Sequence, residues 1–353
     1  MQIKSRVHAD SSLNQDHFDQ LPDSLLLLIF NKLADVHSLG RCLAVSKRFN
    51  SLVPLVHDLF VKIDRLVPVD GDCDVASLSS PNIFAHLLKL ILLTILRPFH
   101  HLLSTNGGNK PLSPQASHHS PSQILKNFTQ VQNLRIELPA GDVGTEDGVF
   151  LKWRAEFGSS LQNCVVLGGT KIEHGSNSVN LQGPVEDDGR LPESFYTDTD
   201  GGLKLRVIWT ISSLLAASTR HYLLHQIVKE HTTLRSLVST DADGQGTLTM
   251  GLEQLKEFRE KPLAPSSSSN RRTQVPASKM KLRYAPYLEL PERVGVQGAT
   301  LLIIKPVGEG TSCDYGSERE MEAFSCGTFD GPFQAAVKAL GKRRTYLSEM
   351  NGF

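Results

Sequence analysis

The chain has 353 residues, 40% of them hydrophobic, with 37 basic and 37 acidic side chains. By length this is material for roughly one to three domains with a sizeable core. The balanced charge excludes a chain-wide field that would steer the protein to nucleic acid or to a membrane surface, so neither is expected as a partner.

In chain order, the first segment is polar. Residues 1–17 are expected to be disordered, and Asp10, Asp16 and Asp19 rule out the apolar stretch of a signal peptide. The five cysteines, Cys42, Cys73, Cys164, Cys313 and Cys326, lack the spacing of a zinc knuckle or a redox pair. Such usage suits a reducing compartment, so the nucleus, the cytoplasm or both are expected, and the sequon at Asn127-Phe128-Thr129 should carry no glycan.

Residues 18–60 read as three short helices. Pro22 suits a first helical position and Asp23 a first turn, where the helix dipole favours a carboxylate. Leu25, Ile29 and Leu33 then recur at helical spacing, with Leu26 and Phe30 beside them. Leu39, Cys42 and Leu43 make a second short apolar face. Ser46 is a good N-cap for a third helix bearing Phe49, Leu52 and Val53, which Pro54 stops. The run Leu25-Leu26-Leu27-Leu28-Ile29-Phe30 covers nearly the whole circumference of the first helix. One face of such a helix can pack on its own domain, and the surplus face needs another surface.

The remainder, residues 61–353, is expected to form a mixed α/β target-recognition domain with disordered loops near 104–122, 174–200 and 262–279. Residues 82–103 read as a helix. Its apolar run Leu87–Leu96 is about half the roughly 20 residues needed to span a bilayer, so a buried core helix is the better reading. Val131-Gln-Asn-Leu134-Arg-Ile136, Leu161-Gln-Asn-Cys164-Val-Val166 and Leu234-Arg-Ser-Leu237 share the strand signature of leucine-rich-repeat-like solenoids, or are ordinary short strands. Leu203–Glu230 reads as a long helix, Leu282–Leu290 and Ala299–Ile304 as strands, and Phe333–Tyr346 as a closing helix. The fold class is therefore α+β, or irregular α/β: three N-terminal helices followed by a mixed domain.

No catalytic constellation stands out. Asp241, Asp243 and Gly246 fall at the first, third and sixth positions of a calcium-loop pattern, but Leu252 occupies the place of the bidentate glutamate. A turn after a strand is the better reading. His221 and His225 lie one helical turn apart, but Tyr222 stands where a zinc-protease pattern needs glutamate, and a solvated helix face is expected. Cys164, flanked by valine, should be buried and inert. The basic spots Asn270-Arg271-Arg272 and Lys342-Arg343-Arg344 are short. No metal and no cofactor is expected.

The segment Leu21-Pro22-Asp23-Ser24-Leu25-Leu26-Leu27-Leu28-Ile29-Phe30-Asn31-Lys32-Leu33, continued by Leu39, Cys42, Val45-Ser46-Lys47-Arg48-Phe49 and Leu52-Val53, resembles the F-box family in order and spacing. Phe49 stands where the family more often has tryptophan, and Gly40 is a poor helix former. The resemblance implies a non-catalytic subunit that docks on a Skp-type adaptor and, through it, a cullin and a RING protein. It would present an unknown protein substrate for ubiquitination and proteasomal degradation. The implied adaptor-binding set is Leu21, Pro22, Leu25, Leu26, Ile29, Leu39, Val45, Ser46 and Phe49. An F-box scaffold outside any ligase is the alternative, and a calcium-responsive module at 241–253 a further one. The stretches Gly251–Arg259 and Phe329–Tyr346 resemble a plant F-box group known for auxin up-regulation.

Overall fold

A computed structural model describes residues 18–63, 125–140, 143, 148–174, 191–196, 202–260, 275–291, 294–307 and 327–352. The expected helix over 82–103, the loop near 104–122 and residues 262–274 of the loop expected over 262–279 lie outside these residues, as do Cys73, Cys313, Cys326 and the first basic spot; the last two residues of that loop, Ser278 and Lys279, begin a strand instead.

Three helices open the chain: α1 (Asp23–Leu33), α2 (Val36–Leu43) and α3 (Lys47–Leu52). Their ends are written in local chemistry. The Asp35 carboxylate accepts from the Ser38 amide at 2.8 Å and caps α2. The Ser46 hydroxyl accepts from the Phe49 amide at 3.1 Å and caps α3. Pro22 sits just before α1, at its cap, and a short 3-10 turn at Val53–Leu55 ends the segment.

Strand β1 (Asp58–Lys62) then crosses the expected boundary at residue 60 and ties the helices to the sheet. Ala34 ends α1 in the left-handed region, with φ of 51°, and its carbonyl accepts from the Phe60 amide at 2.9 Å. The Asn31 side chain accepts from the His57 and Asp58 amides at 2.7 and 3.2 Å. Leu26, Phe30, Val36 and Leu39 share one apolar core with Leu59, Val61, Leu134 and Ile136.

The other strands are β2 (Asn133–Leu138), β3 (Phe150–Phe157), β4 (Leu161–Gly169), β5 (Lys171–His174), β6 (Ser236–Asp241), β7 (Gly246–Met250), β8 (Ser278–Leu290), β9 (Val294–Pro306) and β10 (Tyr346–Met350). Together with β1 they form one sheet in the order β1-β2-β6-β7-β3-β4-β9-β8-β10, with β5 on the first part of β9. The pairs β1–β2, β2–β6 and β7–β3 are parallel and the others antiparallel. Strand β9 pairs with β5 and then with β4, and between the two partners Gly298, with φ of +59°, takes a conformation that costs other residues strain.

The helices α4 (Gly202–Glu230), α5 (Leu252–Glu260) and α6 (Pro332–Gly341) complete the fold. The apolar run on β4 explains its central place. Cys164 and Val166 belong to the core shared with α4, while Val165 and Leu167 pack in a second core with Ala336, Val337 and Leu340 of α6. A strand buried on both faces loses the polar alternation of a half-exposed one.

Three expectations change here. The L-x-x-L segments do lie on or lead into strands β2, β4 and β6, but these sit in one mixed sheet rather than in a stacked solenoid. β2 and β6 are parallel neighbours, and β4 lies across the sheet, antiparallel to both its partners. Side-chain alternation gives any strand that short signature. The closing helix ends at Gly341, and Tyr346 begins β10 instead, paired with β8. A segment written as loop near 174–200 contains a 3-10 turn at Glu193–Phe195.

Candidate functional site

Helix α1 presents two different faces. Leu26 and Phe30, one turn apart, are buried in the core. Leu25, Leu28, Ile29 and Leu33 are exposed, Leu28 by 54%. Val45, in the turn between α2 and α3, is 67% exposed. Large apolar side chains on neighbouring turns of one short helix form a contiguous hydrophobic stripe, the property of a surface made to be covered.

The loop before α1 is held by Arg48 on α3. Its guanidinium donates to the Asp23 carboxylate at 2.6 and 2.8 Å, to the Phe18 carbonyl at 3.0 Å and to the Leu21 carbonyl. This planar fork suits several acceptors at once, which lysine cannot match. The ion pair is partly solvated, so its worth lies in geometry more than in energy. Phe49 packs edge-on against Phe18 and Phe30, with centroids 5.9 and 5.1 Å away. Arg48 and Phe49 thereby fix Leu21 and Pro22 beside the start of α1. Sequence reasoning had Arg48 inside its motif but gave it no role. The signal was an arginine followed by an aromatic, opposite an acidic first turn.

The nine residues expected at a docking face divide into three groups. Leu25, Ile29, Val45 and Pro22 are exposed, and Leu21 and Phe49 are half-buried beside them. Ser46 is exposed, and its hydroxyl caps α3. Leu26 and Leu39 are fully buried, which corrects their expected role as contacts: they hold the helices on the sheet and have no surface to offer. Leu28 and Leu33 were missed among the exposed set, because composition alone does not say which side of an all-apolar helix faces inward.

The other candidate sites are internal scaffolding. Arg220 on α4 is buried, pairs with Asp241 at 2.6 Å, donates to the Gly246 carbonyl at 2.9 Å and lies 4.6 Å over the Trp153 ring. The same carboxylate accepts from the Gln245 and Gly246 amides at 2.5 and 2.8 Å. Asp241 thus closes the β6–β7 turn, where Gly244 has φ of +63°, as the turn reading expects. His221 is a correction. It is buried rather than solvated, stacks on Phe157 at 4.4 Å and bonds the Gly158 carbonyl at 2.9 Å. Burial lowers its pKa from 6.5 to about 4, against the raising effect of the Gly158 bond. Burial also pushes the Cys164 thiol up to about 12, which leaves it inert. Among the described residues no cluster of histidine, cysteine or carboxylate side chains is arranged to hold a metal, and no helix is long and apolar enough to cross a membrane.

Comparison with known proteins converges on the N-terminal helices and extends beyond them. Residues 18–62 match the F-box-like family model. The Arabidopsis thaliana F-box protein At4g18380 is 47% identical, with 99% of this chain and 97% of that protein covered. The Arabidopsis thaliana F-box proteins AUF1 and AUF2 are 36% and 37% identical, with 96% of this chain and all of each relative covered, 100% in both cases. No solved structure matches the chain. F-box segments in general bind Skp-type adaptors, and F-box proteins are generally non-catalytic. With the helices, their exposed apolar stripe and full-length relatives in agreement, the chain belongs to the F-box protein family.

Proposed function

We propose that this protein is the substrate-recognition subunit of a ubiquitin ligase of the Skp–cullin–F-box type. The observation that carries the reading is the exposed stripe of Leu25, Leu28 and Ile29 on a helix whose opposite side, Leu26 and Phe30, anchors it to the sheet. A helical face laid against a partner groove is a recurrent mode of recognition, and the anchored inner side keeps the stripe rigid before binding. Leu21 and Pro22, held by Arg48, extend the contact beyond the helix. The partner is a Skp-type adaptor, which brings the cullin, the RING protein and a charged ubiquitin-conjugating enzyme.

Chemistry in this assembly is done elsewhere. The chain raises the local concentration of its target near activated ubiquitin, and its own contribution is position. The sheet domain, rigidly joined to the helices through β1, Ala34 and Asn31, holds the target at a fixed offset from the adaptor. Action in the nucleus, the cytoplasm or both belongs to the same proposal.

The test is a pull-down of a purified Skp-type adaptor by the full chain and by a Leu21→Ala/Pro22→Ala double variant. Adaptor recovery should drop several-fold with the variant, and cullin should be recovered with the wild type when all components are present. Equal recovery of adaptor by both chains contradicts the reading. Adaptor without cullin favours an F-box scaffold acting outside a ligase.

A further inference from the structure

Three features far from the N-terminal helices meet at one corner of the sheet. The first is an apolar groove of about 250 Å³ between the first half of α4 and the end of the sheet, walled by Leu203, Val207, Ile211, Met280, Leu282 and Met350. Leu203 and Val207, one turn apart on α4, are exposed. Deep in the same groove lies Arg206, buried between Phe195 and Tyr284 and bonded to Thr300 at 2.9 Å. The second is β10, the last strand of the sheet among the described residues, paired with β8 along one side, with Leu347 78% exposed. The third is the basic turn that leads into β10. Lys338 on the last turn of α6 and Lys342 and Arg343 in the turn itself are exposed, and Glu349 is the single acidic residue between Lys338 and Met350. Glu349 stands in register with Lys279, so that acid already has a basic neighbour within the sheet.

Strand periodicity gives these features a common meaning. Alternate residues of β10 point to opposite faces. Ser348 and Met350, with Glu349 between them, border the groove on the α4 side, whereas Leu347 stands in register with Lys281, whose β9 partner Ile303 packs in the core under α6. A segment laid along the outer edge of β10 therefore has one set of side chains over the groove and the other toward the α6 side, next to the basic turn.

We propose that this corner is the docking site for an extended segment of the target protein, added as a further strand to β10. The segment carries apolar side chains at every second position, which enter the groove, and acidic ones between them, which face Lys338, Lys342 and Arg343. Main-chain bonds to the edge supply affinity, and the groove and the charges supply the choice of sequence. This deepens the reading of the chain as a substrate-recognition subunit and rests on it for the identity of the occupant as a target.

The probe is a displayed library of random short peptides, selected on the purified full chain. Selection should enrich peptides that alternate apolar and acidic residues. Leu203→Glu/Val207→Glu on the groove wall and Lys342→Glu/Arg343→Glu at the turn should each weaken an enriched peptide about tenfold. All four positions are accessible, so the variants should keep the wild-type unfolding midpoint. Hydrogen exchange at β10 should slow when the peptide binds. No enrichment of that pattern, or equal binding to wild type and both variants, overturns the proposal. So does a chain that self-associates through this edge and becomes monomeric in both variants, because the occupant is then a second copy. Adaptor recovery by the two variants is measured in parallel and should match the wild type. If peptide binding holds but the wild-type chain recovers no adaptor, only the ligase reading fails.

Discussion

Helices α1 and α4 invert one another. Helix α1 has leucines on its outside: Leu25 and Leu28 face solvent while Leu26 and Phe30 fill the core. Helix α4 has charged and polar groups on its inside: Arg206, Arg220 and His221 are buried along with Trp209 and Leu214, and each is bonded to a fixed partner outside the helix. Each arrangement breaks the simple rule of apolar inside and polar outside, and each break has a different meaning. An exposed apolar stripe costs free energy until something covers it. A buried polar group costs free energy until a fixed partner bonds it, so it specifies one arrangement of the elements around it. On the proposed function, the outward leucines of α1 are the surface for another protein. The inward polar groups of α4 lock this chain's own strands in place.

The largest effect expected from breaking that contrast lies inside α4. Arg220→Ala leaves the Asp241 carboxylate buried without its ion pair, and should cost about 3–5 kcal/mol in urea unfolding. It should also loosen the β6–β7 turn, visible as faster amide exchange at Gln245 and Gly246. A result below about 1 kcal/mol contradicts the role given to the pair.

Next in size is a pH effect at His221. The folded chain holds this imidazole neutral down to about 4, whereas the unfolded chain protonates it near 6.5. Between those values the unfolded state binds the extra proton, so stability falls as pH drops from 6.5 toward 4. His221 alone contributes on the order of 3 kcal/mol to that loss. His221→Gln should flatten the slope over this window, and an unchanged slope means that other groups control it.

Smaller effects belong to the N-terminal helices, where the energetics are local. Ser46→Ala removes the cap on α3 and should lower stability by about 1 kcal/mol in thermal unfolding. If Ser46 served as a contact alone, stability would not move. Gly40 lies in an exposed turn of α2, and a side chain built there meets nothing within 4 Å. Gly40→Ala should therefore raise the unfolding midpoint, by up to about 1 kcal/mol in stability. A loss instead would show that this turn of α2 needs glycine's freedom.

The same contrast explains what was legible in the sequence. Segments governed by local chemistry could be read directly. The cap at Ser46, the turn at Asp241–Gly244 and the burial of Cys164 among valines all show in residues within a few positions of one another. Whatever depended on distant pairing could not. Leu26 and Leu28 are chemically identical, and the later elements that α1 packs on, α2, α3 and β1, decide that Leu26 turns inward. His221 looked like a surface residue because its carbonyl partner at Gly158 lies 63 positions away. Tyr346 was read into a helix because nothing near it announces a partner strand, and β8, its partner, is far earlier in the chain. The strand signature shared by β2, β4 and β6 was real as local pattern, yet topology placed those strands in one sheet.

The claim that the outer face of α1 is a partner surface rather than a packing defect is tested most directly with a Leu25→Glu/Ile29→Glu double variant. Both its unfolding free energy and its affinity for a purified Skp-type adaptor are measured. Stability should stay within about 0.5 kcal/mol of wild type, because neither side chain is buried. Adaptor affinity should fall by about 2 kcal/mol or more, since central apolar anchors dominate such interfaces. A variant that loses stability but keeps its adaptor affinity contradicts the account, and would make the stripe part of this chain's own fold.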